Sequence, residues 1–305
     1  MVADVEEFRN PQPTRYRSHR WLTAFLQEIE IDAVLHQNPI TFTSTVDPAT
    51  TVQEAQERLP HLSPLVLVPT RELPKELSGK IAEVASRDQF QREYAAKASV
   101  GFAIVNLGSL MTPQSLADMD YVRDLEGQVP PDGDLAGAVD YAFPVSHIEE
   151  PAVIGNTVVF TSVAPNVFAN PIPSYRSVAG GYEVVIRVEP RPNYLYVAHL
   201  PMLGGRLLLL NGVHHVLALL KKGRAESPAL IRTASTIDEL GLQKTTLFNH
   251  LGSFRPALVR DFLDPVAIPV LRRQTAVATT VASQIGQTMF AATAATRWDG
   301  WPATT

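Results

Sequence analysis

The sequence predicts an α+β protein, a mixed sheet with helices packed on it, joined to an N-terminal α/β module. Three observations predict it. Residues 205–232 read strand, tight turn, apolar helix and strand in quick succession. β-Branched or apolar runs of strand length recur at 40–46, 102–105, 153–163, 182–188 and 194–199. Stretches with helical spacing, at 18–31 and 73–98, stand beside them.

Each element follows in order from the chain. Residues 1–16 form an arm with prolines at 11 and 13. Trp21, Leu22, Phe25, Leu26 and Ile29 recur at helical intervals, so 18–31 is expected to be a helix. The alternating run 40–46 is a strand, 52–59 a short helix, and 65–68 a short buried strand. A charged helix covers 73–98, with a break near Arg87. Residues 126–140 are rich in Pro, Gly and Asp and read as loop, and 142–145 opens a strand-like region running to 200. Within it, 164–181 is a long turn-forming loop of the kind that carries contacts.

The stretch from Gly205 to Arg232 carries the chemistry. Leu207 to Leu210 is wholly apolar and predicts an interior strand. Asn211-Gly212 breaks it, and 213–222 follows as an apolar helix ending in Lys221 and Lys222, with Gly223 at its C-terminal stop. A second strand at 228–232 completes a βαβ pattern. A helix that starts beside a glycine turn offers backbone N–H groups and a positive dipole end, which is an anion site. The candidate ligand residues are therefore Asn211, Gly212, His214 and His215, with Arg206, Asn193 and Tyr194 at the pocket mouth and His199 on the preceding strand. Adjacent histidines point about 100° apart on a helix, so one meets the anion while the other packs or caps. Protonation of an imidazole would strengthen anion binding as pH falls toward about 6.

Composition bounds the rest. With 305 residues, 45% hydrophobic and 19% charged, the chain has material for one large or two ordinary globular domains. It has no cysteine, which excludes disulfides, thiolate catalysis and Cys-ligated zinc. Neither HxxxH nor HExxH occurs, so no metal is expected. A net charge of −5 gives no general attraction for nucleic acid or anionic membrane, although the region 203–260 is locally basic. Asp118 and Asp120 read as a solvated acidic pair. Residues 274–296 carry no charge but too many Thr, Ser and Gln to span a membrane, and 276–281 can form a last strand. The polar, acidic N-terminus has no apolar signal core, and a cytoplasmic location is expected. Trp298 and Trp301 sit near the end of the chain, as for docking on a protein partner or a second copy.

The spacing from Gly212 to Ala218, then Gly223 and Pro228-Ala-Leu-Ile231, resembles the ParB/sulfiredoxin superfamily over about 28 residues. In that superfamily a strand leads to Gly-x-Arg-Arg or Gly-x-His-Arg at a helix start, and the turn holds a nucleotide's phosphates. His214 and His215 stand here where the basic pair would be, and the cysteine that sulfiredoxin activity needs is absent. The run V-N-L-G-S-L-M-T-P-Q followed by residues 118–125 is similar to the opening of ParB-like domains. Residues 236–254 resemble the helix-turn-helix those proteins carry downstream, with Gly241 at the turn and Lys244, Thr245, Thr246 and Asn249 beyond it. The first helix is about one turn too short to brace a recognition helix, so an αα corner is expected there, and DNA binding is not.

The resemblance implies an N-terminal module at 1–100, a ParB/sulfiredoxin-like domain at 101–233 and a helical corner and tail at 234–305. It implies binding of a nucleotide or other phosphorylated ligand, the only cofactor in view, while His214 and His215 in place of the family's basic pair weigh against nucleotide hydrolysis. The competing expectation is a non-catalytic scaffold or adaptor in a bacterial assembly, with structural histidines.

Overall fold

A computed structural model describes residues 15–26, 40–42, 48–95, 97, 99–145, 152–154, 157–162, 167–169, 174–179, 181–185, 188–190, 192–241, 251–253, 255–274, 277–284 and 291–293. The class is α+β. By contacts the chain divides into two units that are discontinuous in sequence, a different partition from a sequential one at residues 100 and 233. The larger comprises Tyr16–Val145 and Asn193–Arg273, the smaller Met1–Arg15, Ser146–Pro192 and Gln274–Thr305.

The strands associated with the larger unit are β1 (Arg15–Trp21), β2 (Ile40–Phe42), β3 (Val100–Asn106), β4 (Leu116–Asp118), β5 (Tyr196–Leu200), β6 (Arg206–Asn211), β7 (Glu226–Thr233) and β8 (Ile268–Gln274). Its helices are α1 (Pro48–Arg58), α2 (Ser78–Ser86), α3 (Met119–Glu126), α4 (Leu135–Ala142) and α5 (Val213–Lys221). The strands make two four-stranded sheets, ordered β2-β8-β1-β4 and β6-β5-β7-β3. The second is mixed: β5 runs antiparallel to β6 and parallel to β7, and β7 runs antiparallel to β3.

That order corrects the expected βαβ unit. Strand, turn, helix and strand all occur, but β5 lies between β6 and β7, which are antiparallel to each other. Nor is β6 an interior strand. It ends the hydrogen-bonded ladder, yet Leu207, Leu208 and Leu209 are buried because Met111 seals its outer edge. The Met111 N–H donates to Leu207 O at 2.9 Å, and the Leu209 N–H donates to Met111 O at 2.8 Å.

Helix α5 packs against α3 and buries Val213, His215, Val216, Leu217, Ala218 and Leu219. It stops where the lysines and glycine predict. Gly223 takes φ +76°, its N–H donates to Leu220 O, and the Arg224 N–H donates to Leu219 O, a double closure that satisfies two end carbonyls.

Four further expectations are overturned. Residues 18–26 are not helical: β1 ends at Trp21 and a single 3-10 turn follows at Thr23–Phe25. The alternating inward residues of β1 include Arg17 and His19 as well as Trp21, so its two-residue period is invisible to a hydrophobicity count. Residues 65–68 form no strand, and Val66 and Leu67 are 65% and 52% exposed. Pro64 and Pro69 bracket that run and cannot donate to a ladder. Residues 126–140 are only partly loop, because α4 begins at Leu135 with Asp134 capping the Gly137 N–H at 2.8 Å. The strand expected at 142–145 is absent: the helix ends at Ala142, and 143–145 hold no regular structure.

The break expected near Arg87 is present, with Arg87 in extended conformation between α2 and a short turn at Asp88–Phe90. Helix α1 overlaps the expected 52–59, β3 contains the expected 102–105, and β2 covers the first three residues of the expected 40–46, of which 43–46 lie outside the described residues. Past β7, one 3-10 turn at Asp238–Leu240 ends at Gly241 (φ +63°), and residues 242–250, including Lys244, Thr245, Thr246 and Asn249, lie outside the described residues.

In the smaller unit, Ala291–Thr293, Val277–Gln284, Thr157–Ser162 and Ala152–Ile154 follow one another in an antiparallel sheet. Ser174–Val178 pairs with Gly181–Val185, and Val167–Ala169 with Val188–Pro190, so the expected long loop at 164–181 holds strand residues at 167–169, 174–178 and 181, with 164–166, 170–173 and 180 outside the described residues. Trp298 and Trp301 lie outside the described residues. Among the described residues no helix is long and apolar enough to cross a membrane.

Candidate functional site

The turn after β6 is built by a local irregularity. Tyr196 faces Asn211 and Val197 faces Leu209, so Leu210 is an extra residue that bulges the strand end. Asn211 folds its side-chain oxygen onto the Gly212 N–H at 2.9 Å. Gly212 has φ +96°, the left-handed region that a side chain disfavours. The space on its Cα is also taken: an added Cβ would lie 3.2 Å from Leu195 Cα and 3.6 Å from Tyr194 O. The glycine therefore lets two backbones of the protein approach. Gly212→Ala is expected to cost about 1–3 kcal/mol, from the strained φ and the contact with Leu195. Urea unfolding measures it, and an unchanged midpoint would show that the turn repacks freely.

His214 and His215 diverge from the first turn of α5, as adjacent helical residues must. The His214 Nε2 accepts the Asp118 N–H at 3.0 Å, and its ring meets Tyr121 edge-on at 5.3 Å. That acceptor role requires an unprotonated Nε2, which places the neutral ring's proton on Nδ1 by inference. His215 is 4% exposed and packs edge-on to Tyr141, also at 5.3 Å. Both pKa values are pushed down to about 4. Burial is the main cause for each; His19 and Arg17 add positive charge near His214, and His214 does the same to His215. The pH at which these imidazoles gain charge is thus about 4 rather than about 6.

Asp118 joins His214 to the first sheet. Its Oδ1 accepts the Asp120 and Tyr121 N–H groups at 3.0 and 2.9 Å, which caps α3. Its Oδ2 lies 3.2 Å from Arg17 Nη1 and 3.9 Å from His19 Nε2. Asp120 accepts the Ser18 N–H at 2.9 Å. Asp118 is 8% exposed, so the acidic pair read as solvated is instead a buried cap and its neighbour. Asn193 is close enough to Tyr121 to lower its pKa against the upward push of burial. Arg17, His19, Tyr121 and the role of Asp118 escape a reading of the sequence, since register brings His19 opposite Asp118 across nearly a hundred residues. The one local signal was Asp118 itself, an N-cap residue before an amphipathic helix.

Arg206 is not part of this group. The β5–β6 register sets Arg206 against Leu200 and Asn211 against Tyr196, at opposite strand ends. At about 3.3 Å per residue the two ends are roughly 16 Å apart. The Arg206 guanidinium donates to Leu251 O and, at 2.6 Å, to Ser253 O. His199 belongs to that far end as well, where its Nε2 lies 3.3 Å from where a Cβ on Gly205 would sit.

The structure thus brings Asn211, Gly212, His214 and His215 together with Asn193 and Tyr194 and leaves Arg206 and His199 apart. Among the described residues, no group of three or more His, Asp or Glu side chains has the placement to hold a metal ion. Chemically, the cluster is a set of neutral rings and satisfied caps that ties β1, α3 and α5 to one another. No family model, curated protein or solved structure matches this chain.

Proposed function

We propose that this protein acts by binding rather than by catalysis, as a scaffold or adaptor subunit in the cytoplasm, with the Gly212 turn as a structural joint. The observation that carries this reading is the state of His214 and His215. One ring spends its Nε2 lone pair on the Asp118 N–H, and both are held neutral by burial. A protonated imidazole would add a charge-assisted donor for phosphate at this turn, and neither ring supplies one near neutral pH. Val66 and Leu67 add support, since two adjacent exposed apolar residues on an extended segment suit a protein contact.

A second reading keeps a ParB/sulfiredoxin-like core with a nucleotide or phosphorylated ligand at the turn. It is favoured by the start of α5, where Gly212 is left-handed and no side chain caps the first N–H groups. Titration of pyrophosphate and nucleoside triphosphates into wild type and His214→Gln separates the two. Binding that His214→Gln abolishes, with the melting temperature retained, would overturn the adaptor reading. Titrations that leave the His214 and His215 imidazole NMR signals unmoved are the expected result, and shifts of those signals by added nucleotide would also overturn the adaptor reading.

Assembly is tested separately. Removing residues 297–305, with Trp298 and Trp301, is expected to lower the mass seen by light scattering while the melting temperature stays nearly constant. A large loss of stability at unchanged mass would assign the tryptophans to the protein's own core.

A further inference from the structure

Away from the Gly212 turn, polar groups gather at the rim of an aromatic layer. Tyr94 stacks on Tyr194 with ring centres 5.8 Å apart and meets Tyr196 edge-on at 5.0 Å. Phe143 packs on Tyr194, and Phe102 on both Phe143 and Phe90. Tyr94 belongs to a π-helical turn at Gln91–Ala95, a form with one extra residue that recurs at binding sites. The Lys97 N–H donates to Tyr94 O at 3.0 Å, which holds Lys97 just past that turn. Its amine lies 4.8 Å from the centre of the Tyr94 ring and 5.9 Å from that of Tyr196.

A second cation comes from the sheet. Tyr196 on β5 is aligned with Leu230 on β7, and Arg232 is two residues further along. Aligned residues of neighbouring strands share a face, and side chains two apart return to it, so Arg232 projects from the same side as Tyr196. Burial lowers the Lys97 pKa; Glu93 opposes this from a distance, and Arg232 lowers it further. Among the described residues neither Lys97 nor Arg232 has a carboxylate within ion-pair distance. Tyr196 is 8% exposed; burial pushes its pKa up, and Arg232 opposes this by its charge and by a side-chain hydrogen bond of poor geometry to the buried hydroxyl. Two half-buried cations with no acid paired to them among the described residues, beside a buried hydroxyl that only Arg232 approaches, form an arrangement that a negative ligand would complete.

We propose that Lys97, Arg232 and the Tyr196 hydroxyl form a binding site for a small oxyanion, with Tyr94 as the floor under the Lys97 amine. Lys97 and Arg232 are both partly exposed, so a ligand can reach them. The shared chemistry is a compact anion with several acceptor oxygens, which a phosphate or a carboxylate group supplies. The site does not use the Gly212 turn and stands or falls apart from it.

Calorimetric titration with inorganic phosphate and with acetate, at constant ionic strength, tests this. Saturable millimolar binding of at least one is expected, and the preferred anion tells a phosphorylated ligand from a carboxylate. Lys97→Gln and Arg232→Gln should each weaken it about tenfold or more, and Tyr196→Phe about threefold. His214→Gln should leave it unchanged. Melting curves confirm that each variant is folded, which the partial exposure of the two cations and the near-isosteric Tyr196→Phe change favour. Absence of saturable binding to wild type, or binding that survives both cation replacements, would overturn the proposal.

Discussion

Replacing Asp261 with alanine is expected to cost about 3–5 kcal/mol of folding stability, the largest effect of any single change considered for this protein. Asp261 is fully buried. Its Oδ1 accepts from Arg255 Nη2 at 2.5 Å, and its Oδ2 accepts from Arg255 Nη1 at 3.0 Å and from the Leu258 N–H at 2.8 Å. Burial pushes its pKa up, and Arg255 opposes that. Removing the carboxylate strands a guanidinium whose side chain is 11% exposed and which also packs over Phe25. The damage spreads, because Leu258 bridges Met111, which seals the edge of β6. Replacing both partners with apolar residues, Arg255→Met and Asp261→Leu, should recover most of the loss, since no buried charge is then left alone. A urea-unfolding double-mutant cycle measures this. A loss under about 1 kcal/mol for Asp261→Ala would mean that water reaches the pair.

The second large effect is a loss of stability in acid. His214 and His215 have folded pKa values of about 4, below the usual imidazole value of 6.5. Between these limits the unfolded chain binds more protons than the folded one, so stability rises with pH across the window. The stabilising contribution is complete above about pH 6.5 and is lost as pH falls toward about 4. At 1.36 kcal/mol per pH unit, each imidazole contributes at most about 3 kcal/mol in total across that window. Carboxylates add their own dependence, so the informative quantity is the difference between wild type and His214→Gln/His215→Leu. The double variant should be less stable at pH 7, where packing is lost, yet show a shallower decline between pH 6.5 and 4.5. A slope identical to wild type would place both rings in solvent.

How much of this was legible in the chain depends on whether the signal was local. Helix α5 and its ends could be read because Asn211-Gly212, Lys221-Lys222 and Gly223 are short-range instructions, and each takes the conformation its chemistry favours. The neighbours of β6 could not, because an apolar run does not say which strand pairs with it, and the preceding β5 takes the place expected for β7. The four-residue apolar run at 65–68 misled because apolarity marks burial only when the backbone can pair, and Pro64 and Pro69 prevent that. Strand β1 was hidden because Arg17 and His19 belong to its inward-facing set. The four turn residues were found together for the reason given, a glycine at a helix start. What they meet was not legible: Leu195 lies against the Cα of Gly212, and Asp118 comes from far away in sequence.

The ionisation of His214 and His215 tests the structural reading of the turn most directly. Imidazole resonances followed by NMR from pH 8 to pH 4, with and without phosphate, and assigned through His214→Gln and His215→Gln, report each pKa. Two rings that stay neutral to about pH 4, with His214 protonated on Nδ1 and neither titration moved by phosphate, are the expected result. Either ring titrating at or above about 6.5, and shifting upward when phosphate is added, would contradict it and return the turn to the role of an anion site.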